Sequence, residues 1–340
     1  MIDLSIQEIT DKARWEIFIL SNPEANFLQS WNYGKFHKRL GKAVFRLGLF
    51  AEEELVGAAQ LVKEKAKRGT YLTLAGGPIV DWNNEEYLRF LFARIKEIAQ
   101  RENCLFVRMR PQVFDTPENR EKVEKFGWDL SPIHLTADLT LQLNLTQPEE
   151  KLLAQMKKGT RYEIRKAGKE GIVVKQSQDL EDIVEFDNHQ QELAKKHGFV
   201  PFSYEYLYEQ FRSFLVDNQV SFFHAYKDNI LLASAFVIFY NKEAVYHYGI
   251  STPQNQRLPG SYACQWKAIR EAKKRGMKTY NFWGISPLNL SDHRFAGVSL
   301  FKRGFGGEEV TYLPAHDLAI DWKYQVVKGF ETLRKKVRKL

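Results

Sequence analysis

The sequence predicts an α/β (α+β) fold in which one unit is built twice. Three observations lead there. Strand-length apolar runs alternate with a helix-periodic segment in each half, the same element order returns about 174 to 176 residues later, and polar turns stand at matching places. In the first half, Phe45 to Phe50 and Leu55 to Lys63 read as strands around the charged turn Ala51-Glu52-Glu53-Glu54. Tyr71 to Ala75 is a third strand, closed by Gly76-Gly77-Pro78. The spacing of Tyr87, Leu88, Leu91, Phe92, Ile95 and Ile98 predicts a helix from about Asn84 to Gln100, and Leu105 to Met109 is the next strand. In the second half Ser221 to Ala225, Ile230 to Tyr240 and Ala244 to Gly249 repeat the three strands. A helix from about Ala263 to Arg275 and a strand from Thr279 to Trp283 complete the copy.

Between the halves, Thr146-Gln147-Pro148-Glu149 has the pattern of a capping box opening a helix. That helix carries Leu152, Leu153, Met156 and Ile164 on one side, and Lys157, Arg161, Arg165 and Lys169 as a row on the other. Residues 179–216 add two helices without counterpart in the first half. At the C-terminal end a helix sets Trp322, Val326, Phe330, Leu333, Val337 and Leu340 along one stripe among basic residues. A surface helix normally buries its stripe, so docking on the body is expected; the alternative is an anionic membrane surface. The division that follows is a first domain 1–146, a second domain 147–320 with the insert 179–216, and the basic amphipathic helix 321–340.

The net charge of +8 is concentrated. Residues 151–170 contribute +5 and residues 322–340 contribute +6, which leaves about −3 for the remainder. Charge confined to two segments points to a polyanion or an anionic surface. Two cysteines, Cys104 and Cys264, argue against a disulfide framework or a Cys-rich metal site, so no metal is expected. The longest apolar run, Ile230 to Tyr240, falls short of the ~20 residues of a membrane helix. The first residues lack the basic-then-apolar order of a signal peptide. A cytoplasmic monomer is expected.

The chemistry-bearing stretch is Tyr280 to Gly307. Its strand breaks at Gly284, and Phe301-Lys302-Arg303-Gly304-Phe305-Gly306-Gly307 sets two cations between aromatic residues before a glycine cluster. Locally this fits either a hairpin with solvated cations or a backbone approaching a ligand. His293 is the one histidine kept as a candidate, and nucleophile-elbow, zinc-ligand and P-loop patterns are lacking. Gln256 to Tyr262, between a strand and a helix, resembles the Q/R-x-x-G-x-G/A loop by which acetyl-CoA-dependent N-acetyltransferases hold pyrophosphate. Pro259 has no N–H and Tyr262 stands where Gly or Ala belongs, which implies an acyltransferase-like fold with a donor other than CoA.

Several segments together resemble the Fem-type (FemABX) aminoacyltransferase family. They are Met156 to Ala167 with Gly171-Ile172-Val173-Val174, Tyr248-Gly249-Ile250-Ser251, Trp266 to Lys273 with Gly276, and above all Phe301 to Gly307, similar to the family's F-K-x-G-F-G-G. The resemblance covers most of the chain. It implies two tandem N-acetyltransferase-like (GNAT) domains of the compact FemX type, with no long coiled-coil arm. It implies transfer of an amino acid from aminoacyl-tRNA to the stem-peptide amine of a UDP- or lipid-linked muropeptide precursor. No cofactor is implied beyond aminoacyl-tRNA as co-substrate, and peripheral contact with the inner membrane face is compatible with it. On the resemblance, Lys302 stabilises the developing oxyanion with Phe301 beside it, and Lys35 contacts the precursor's phosphates. Tyr246 and Tyr248 line the substrate cleft, and Arg257, Gly304 and Gly306 complete the substrate-binding set. Lys157, Arg161, Arg165 and Lys169 are the tRNA- or phosphate-binding row. The sequence departs from the family at Val200-Pro201-Phe202-Ser203, where an arginine is expected and Lys195, Lys196 or His197 would have to serve, and at Asn281, where many members have Asp. Alternatives are a CoA-dependent N-acyltransferase, aminoacyl transfer to a protein N-terminus, and a non-catalytic RNA- or membrane-binding protein.

Overall fold

The computed structural model describes residues 3–67, 69–290 and 293–338, with backbone alone at 197 and 336–338. The chain opens with β1 (Leu4–Glu8), α1 (Lys12–Ser21) and α2 (Trp31–Arg39). There follow β2 (Val44–Ala51), β3 (Glu54–Ala66), β4 (Gly69–Ala75), β5 (Ile79–Val80), α3 (Glu85–Arg101), β6 (Phe106–Arg110), α4 (Pro117–Lys125) and β7 (Asp129–Leu130). The middle of the chain forms β8 (Leu139–Asn144), α5 (Glu149–Gln155), α6 (Lys158–Lys169), β9 (Val173–Ser177), α7 (Asp182–His197) and α8 (Tyr204–Leu215). Then come β10 (Val220–Lys227), β11 (Ile230–Tyr240), β12 (Glu243–Ser251), α9 (Gly260–Lys274), β13 (Thr279–Gly284) and α10 (Ala296–Arg303). The last elements are β14 (Glu308–Thr311), β15 (His316–Ala319) and α11 (Tyr324–Arg338).

The repeated order is therefore β2–β3–β4–α3–β6 in the first half and β10–β11–β12–α9–β13 in the second. Its elements form for ordinary reasons. Asn84 caps α3 by accepting from the N–H groups of Glu86 and Tyr87, two glutamates open the first turn, and Leu88, Leu91, Phe92, Ile95 and Ile98 are all buried along one side. In the second half Phe211 of α8, Phe222 of β10 and Phe236 of β11 are fully buried and in mutual ring contact, so aromatic packing fastens α8 to the sheet.

Two compact units result, one from residues up to Leu139 together with those from Val310 onward, the other Thr140–Glu309. This differs from the contiguous division 1–146, 147–320 and 321–340. The first unit's sheet runs β1-β2-β3-β4-β6-β15-β7 with β5 paired to β3; the second runs β14-β8-β13-β12-β11-β10-β9. In each sheet the strand beside the last repeated strand comes from the far end of a long connection. β15 pairs with β6, and β8 pairs with β13, both antiparallel. A strand's hydrogen-bonding edge is satisfied by any chain of suitable register, so sequence order does not reveal which sheet such a strand joins.

Two helix expectations need correction. The segment after Thr146 is two helices, because the chain turns extended at Met156 and Lys157. The capping box is not formed: Thr146 donates its hydroxyl to Asn144 Oδ1, and α5 begins after Pro148 with no side-chain cap. At the C-terminal end, the side of α11 that packs is Tyr324, Val327 and Glu331, not the anticipated stripe. Trp322, Val326, Phe330 and Leu333 are 75%, 67%, 52% and 62% exposed. The side chain of Val337, and Leu340 altogether, lie outside the described residues.

A buried polar cluster decides that orientation. Arg108 on β6 donates Nε–H and Nη2–H to the two carboxylate oxygens of Asp317 on β15, each at 2.7 Å. Its Nη2 also reaches Glu331 on α11 at 2.8 Å, and the Tyr324 hydroxyl donates to Asp317 at 2.8 Å. All four residues are buried, and the Tyr324 ring also packs, tilted, against Phe106. Turning the stripe inward would strip Arg108 of one anion, and an unpaired buried charge costs more than apolar burial returns. Replacing Asp317 by Ala should lower unfolding free energy by about 3–5 kcal/mol, seen as a fall in the urea midpoint at unchanged m-value. A midpoint matching the wild type would show that the cluster does not hold the first unit together.

Candidate active site

The second unit contains a break in its sheet that the first unit lacks. In the first, the parallel pair β4–β6 holds four successive partners from Leu72–Val107 to Ala75–Arg110. In the second, the parallel pair β12–β13 is joined only over Glu243–Thr279, Ala244–Tyr280 and Val245–Asn281. Irregularities on both outer flanks accompany the parting. The β11–β12 register passes from Val237–Tyr246 to Phe236–Tyr248, which makes His247 an extra residue, and the β13–β8 register shifts between Asn281 and Gly284. Bulges of this kind bend strands and re-aim side chains.

At the second irregularity Trp283 takes a left-handed conformation, φ 64°. An aromatic residue there is strained unless its surroundings impose it. Asn281 does so: its Oδ1 accepts the Trp283 N–H at 2.8 Å, while its Nδ2–H donates to Glu243 at 2.8 Å. The strand turns, and the carbonyl of Gly284 accepts a hydrogen bond from Lys302 Nζ at 2.7 Å.

Lys302 lies in the last turn of α10, so of the two local readings the hairpin with solvated cations does not hold. Ser299 and Lys302 form its buried side, and a lysine near a helix C-terminus is favourably placed in the helix dipole. The side chain is only 8% exposed. Burial lowers its pKa to about 7, with no charged group opposing the shift, so near neutrality the amine stands between its two protonation states. Its Nζ lies 5.7 Å from the ring centroid of Tyr246. His247, half-buried on the same strand, packs on Tyr248 and edge-on to Trp283, and burial lowers its pKa to about 3, so it is neutral.

Sequence-derived site residues separate into groups. Lys302 and Tyr246 come together, while Phe301, the residue before Lys302 in α10, packs against Tyr262 at 5.0 Å and Phe305 at 5.3 Å. Tyr248 is on the same strand, packed against Phe202 and Phe236. Gly304 and Gly306 are glycine for packing reasons. A Cβ on Gly304 would stand 2.4 Å from Thr160 Oγ1, and one on Gly306, at φ 82°, would stand 2.8 Å from the Gln155 carbonyl. Both seat the motif against α5 and α6. Arg303 is held by Glu309 at 2.6 Å and by the Ser286 carbonyl. In the basic row, Lys157, Arg165 and Lys169 are exposed, but Arg161 turns back onto the carbonyls of Leu153, Ala154 and Met156 and caps α5. Arg257 is exposed in the loop before α9, and Lys35 is half-buried on α2 of the first unit. His293 accepts the Phe295 N–H in a local turn. Lys195 and Lys196 are exposed near the end of α7, and the side chain of His197 lies outside the described residues. Trp283, Gly284 and His247 escaped sequence reasoning as site residues, and Asn281 was marked only as a departure from the family; the strand break at Gly284 was the other trace.

The loop resembling a pyrophosphate cradle is occupied from within. The Gly260 N–H donates to Leu258 O at 2.9 Å and the Ser261 N–H to Asn255 Oδ1 at 2.9 Å, while Pro259 has no N–H. Tyr262 fills the adjoining space with its ring contacts to Phe301 and Phe305.

The FemAB family profile matches residues 10–226 and 215–332. Aminoacyltransferase FemA of Staphylococcus epidermidis is 23% identical over 320 residues, covering 70% of this chain and 77% of that protein. Lipid II:glycine glycyltransferase of Staphylococcus aureus strain MRSA252 is 21% identical over 375 residues, covering 88% of each. The crystal structure of FemX superposes with a TM-score of 0.85 at 19% identity, over 95% of this chain and 100% of that one, a likeness of fold. The fold is thus the tandem N-acetyltransferase-like one that the sequence implied.

Asn281→Asp, the residue many relatives would have, should be unfavourable in this setting. It removes the donor to Glu243 and sets two carboxylates together, at a cost of about 1–3 kcal/mol. A carboxyl whose pKa is raised in the folded state loses stability as pH rises, so urea unfolding should show a larger loss at pH 8 than at pH 5. Equal losses at the two pH values would contradict the assigned hydrogen bonds.

Proposed function

We propose an aminoacyl transfer for this chain, which belongs to the FemAB family. The donor in this reading is aminoacyl-tRNA, and the acceptor is the stem-peptide amine of a lipid- or nucleotide-linked muropeptide precursor, in formation of the interpeptide bridge. A relative named for glycyl transfer to lipid II supports that acceptor class. One observation carries the reading: the second sheet parts at β12 and β13, and there Lys302 is buried on the Gly284 carbonyl with the Tyr246 ring beside it.

The chemistry follows from the group at hand. The neutral acceptor amine attacks the ester carbonyl carbon, forming an N–C bond and a tetrahedral oxyanion. The oxyanion collapses by breaking the C–O bond to the tRNA ribose, and the proton leaving the amine is taken up by the ribose oxygen. Protonated Lys302 supplies a positive donor for the oxyanion in a site of low polarisability, where such a donor is worth far more than in water. The Tyr246 ring beside the Lys302 amine supplies apolar surface that keeps water from the ester. Exposed Lys157, Arg165 and Lys169 offer charge to the tRNA backbone. A CoA donor is disfavoured, since the Gly260 and Ser261 N–H groups are already used within the chain.

Lys302→Ala should reduce kcat/KM by about 10²–10³ with the fold unchanged by circular dichroism, in an assay of a mixed aminoacyl-tRNA pool against nucleotide-linked and lipid-linked pentapeptides, read by mass spectrometry. Wild-type turnover in that variant overturns the site, and transfer from acetyl-CoA or onto a protein N-terminus instead overturns the reaction. A cationic role also fixes the sign of the pH profile. With the free-enzyme pKa near 7, kcat/KM expressed per neutral acceptor amine should decline as pH rises through that value, and Lys302→Arg should move the decline upward. A lysine acting as general base would give a rise through the same range. The double variant Arg165→Glu/Lys169→Glu should raise KM for aminoacyl-tRNA by about tenfold and flatten its salt dependence, leaving kcat near the wild-type value.

A further inference from the structure

We propose that the outer face of α11 is a membrane-docking surface that seats the protein on a bilayer rich in anionic phospholipid. The inference rests on the exposure of that face, independently of the reaction proposed above. Val326, Phe330 and Leu333 follow one another at helical spacing with Trp322 just ahead of the helix, and all four are more than half exposed. The helix is nevertheless firmly placed. Its opposite side carries Tyr324, Val327 and Glu331 into the first unit, where Glu331 and Tyr324 join the Arg108–Asp317 pair. The stripe is therefore presented outward by a fixed mount.

Charge identifies what covers it. Residues 322–340 hold seven Lys/Arg and one acid, Glu331, and that acid is buried on Arg108. Lys323 is exposed and Arg334 half-exposed along the edge of the stripe, while Lys328 bridges to Asp129. An apolar stripe edged by cations matches the boundary of an anionic bilayer, where Trp and Phe lie at headgroup depth and Lys/Arg meet phosphate. RNA would satisfy the cations but leave Val326 and Leu333 in water. A second copy would satisfy the stripe but oppose two segments of +6.

The test is sedimentation of the full chain with sucrose-loaded vesicles of phosphatidylcholine, with and without phosphatidylglycerol. Binding to the anionic vesicles is expected to exceed that to neutral ones by about tenfold or more and to weaken in high salt. The triple variant Trp322→Ser/Phe330→Ser/Leu333→Ser should lose that binding while keeping wild-type circular dichroism and transfer to a nucleotide-linked acceptor. Two milder changes cover misfolding of the triple variant. Lys323→Glu/Arg334→Glu should also release the protein from anionic vesicles, and the emission lost in Trp322→Phe should be the component quenched by brominated lipid. Absence of wild-type binding, or binding at the wild-type level by the stripe and charge variants, overturns the proposal. So does a triple variant whose defect is in tRNA binding, or in self-association by light scattering. Vesicle binding without aminoacyl transfer would sustain this surface and reject the reaction, and the converse holds equally.

Discussion

Parallel strands gain stability from an evenly spaced ladder, so two that separate after three pairs must place their freed backbone groups elsewhere. The parting of β12 from β13 is resolved by a small set of bonds. Asn281 takes the Trp283 N–H, the left-handed turn at Trp283 redirects the chain, and the Gly284 carbonyl receives Lys302. Lys302 in turn sits in an interior that disfavours its charge, which is why its pKa falls to about 7. The strain at Trp283 and the burial of the amine belong to one arrangement. A cation so placed is partly discharged until negative charge develops beside it, a property suited to an oxyanion and wasteful in a purely structural lysine.

The two units began from one pattern and use their polar residues in opposite ways. In the first, β4 and β6 stay zipped; of the two buried arginines on β6, Arg108 is engaged by Asp317 and Glu331, and Arg110 donates to Thr136, Gln112 and the Pro111 carbonyl. Such a cluster holds elements in place and offers nothing to a substrate. In the second, the corresponding strands are open, and the buried cation has a carbonyl where Arg108 has two carboxylates. A cation neutralised by carboxylates in one unit and a buried cation facing a carbonyl in the other make the contrast on which the proposed site rests.

The glycines of the Phe301 to Gly307 motif bear on the same contrast. Their small size brings the end of α10 against Thr160 and the Gln155 carbonyl, and the Lys157 N–H donates to Gly304 O at 2.9 Å. The motif is thereby fastened to the α5–α6 junction from which the basic face of α6 starts. Arg161, spent on capping α5, shows that a regular row of cations in sequence is not a regular row of free cations in space.

Periodicity determined much of this protein. The repeated order of three strands, a helix and a strand was legible from apolar spacing and turn residues, because those patterns report the local geometry of a half-buried surface. That Lys302 is not a solvated surface cation was legible through a motif whose cation, aromatics and glycines are rarely adjacent for surface reasons. Three matters were decided only by the folded chain. Which sheet β8 and β15 join depends on open strand edges, and edges have no local signature. Which side of α11 turns inward depends on an arginine, Arg108, 223 residues away from Glu331, so its apolar stripe alone pointed to the wrong side. The site itself depends on where two parallel strands stop pairing. That is a property of both strands and their bulges together, and no single segment of the sequence carries it.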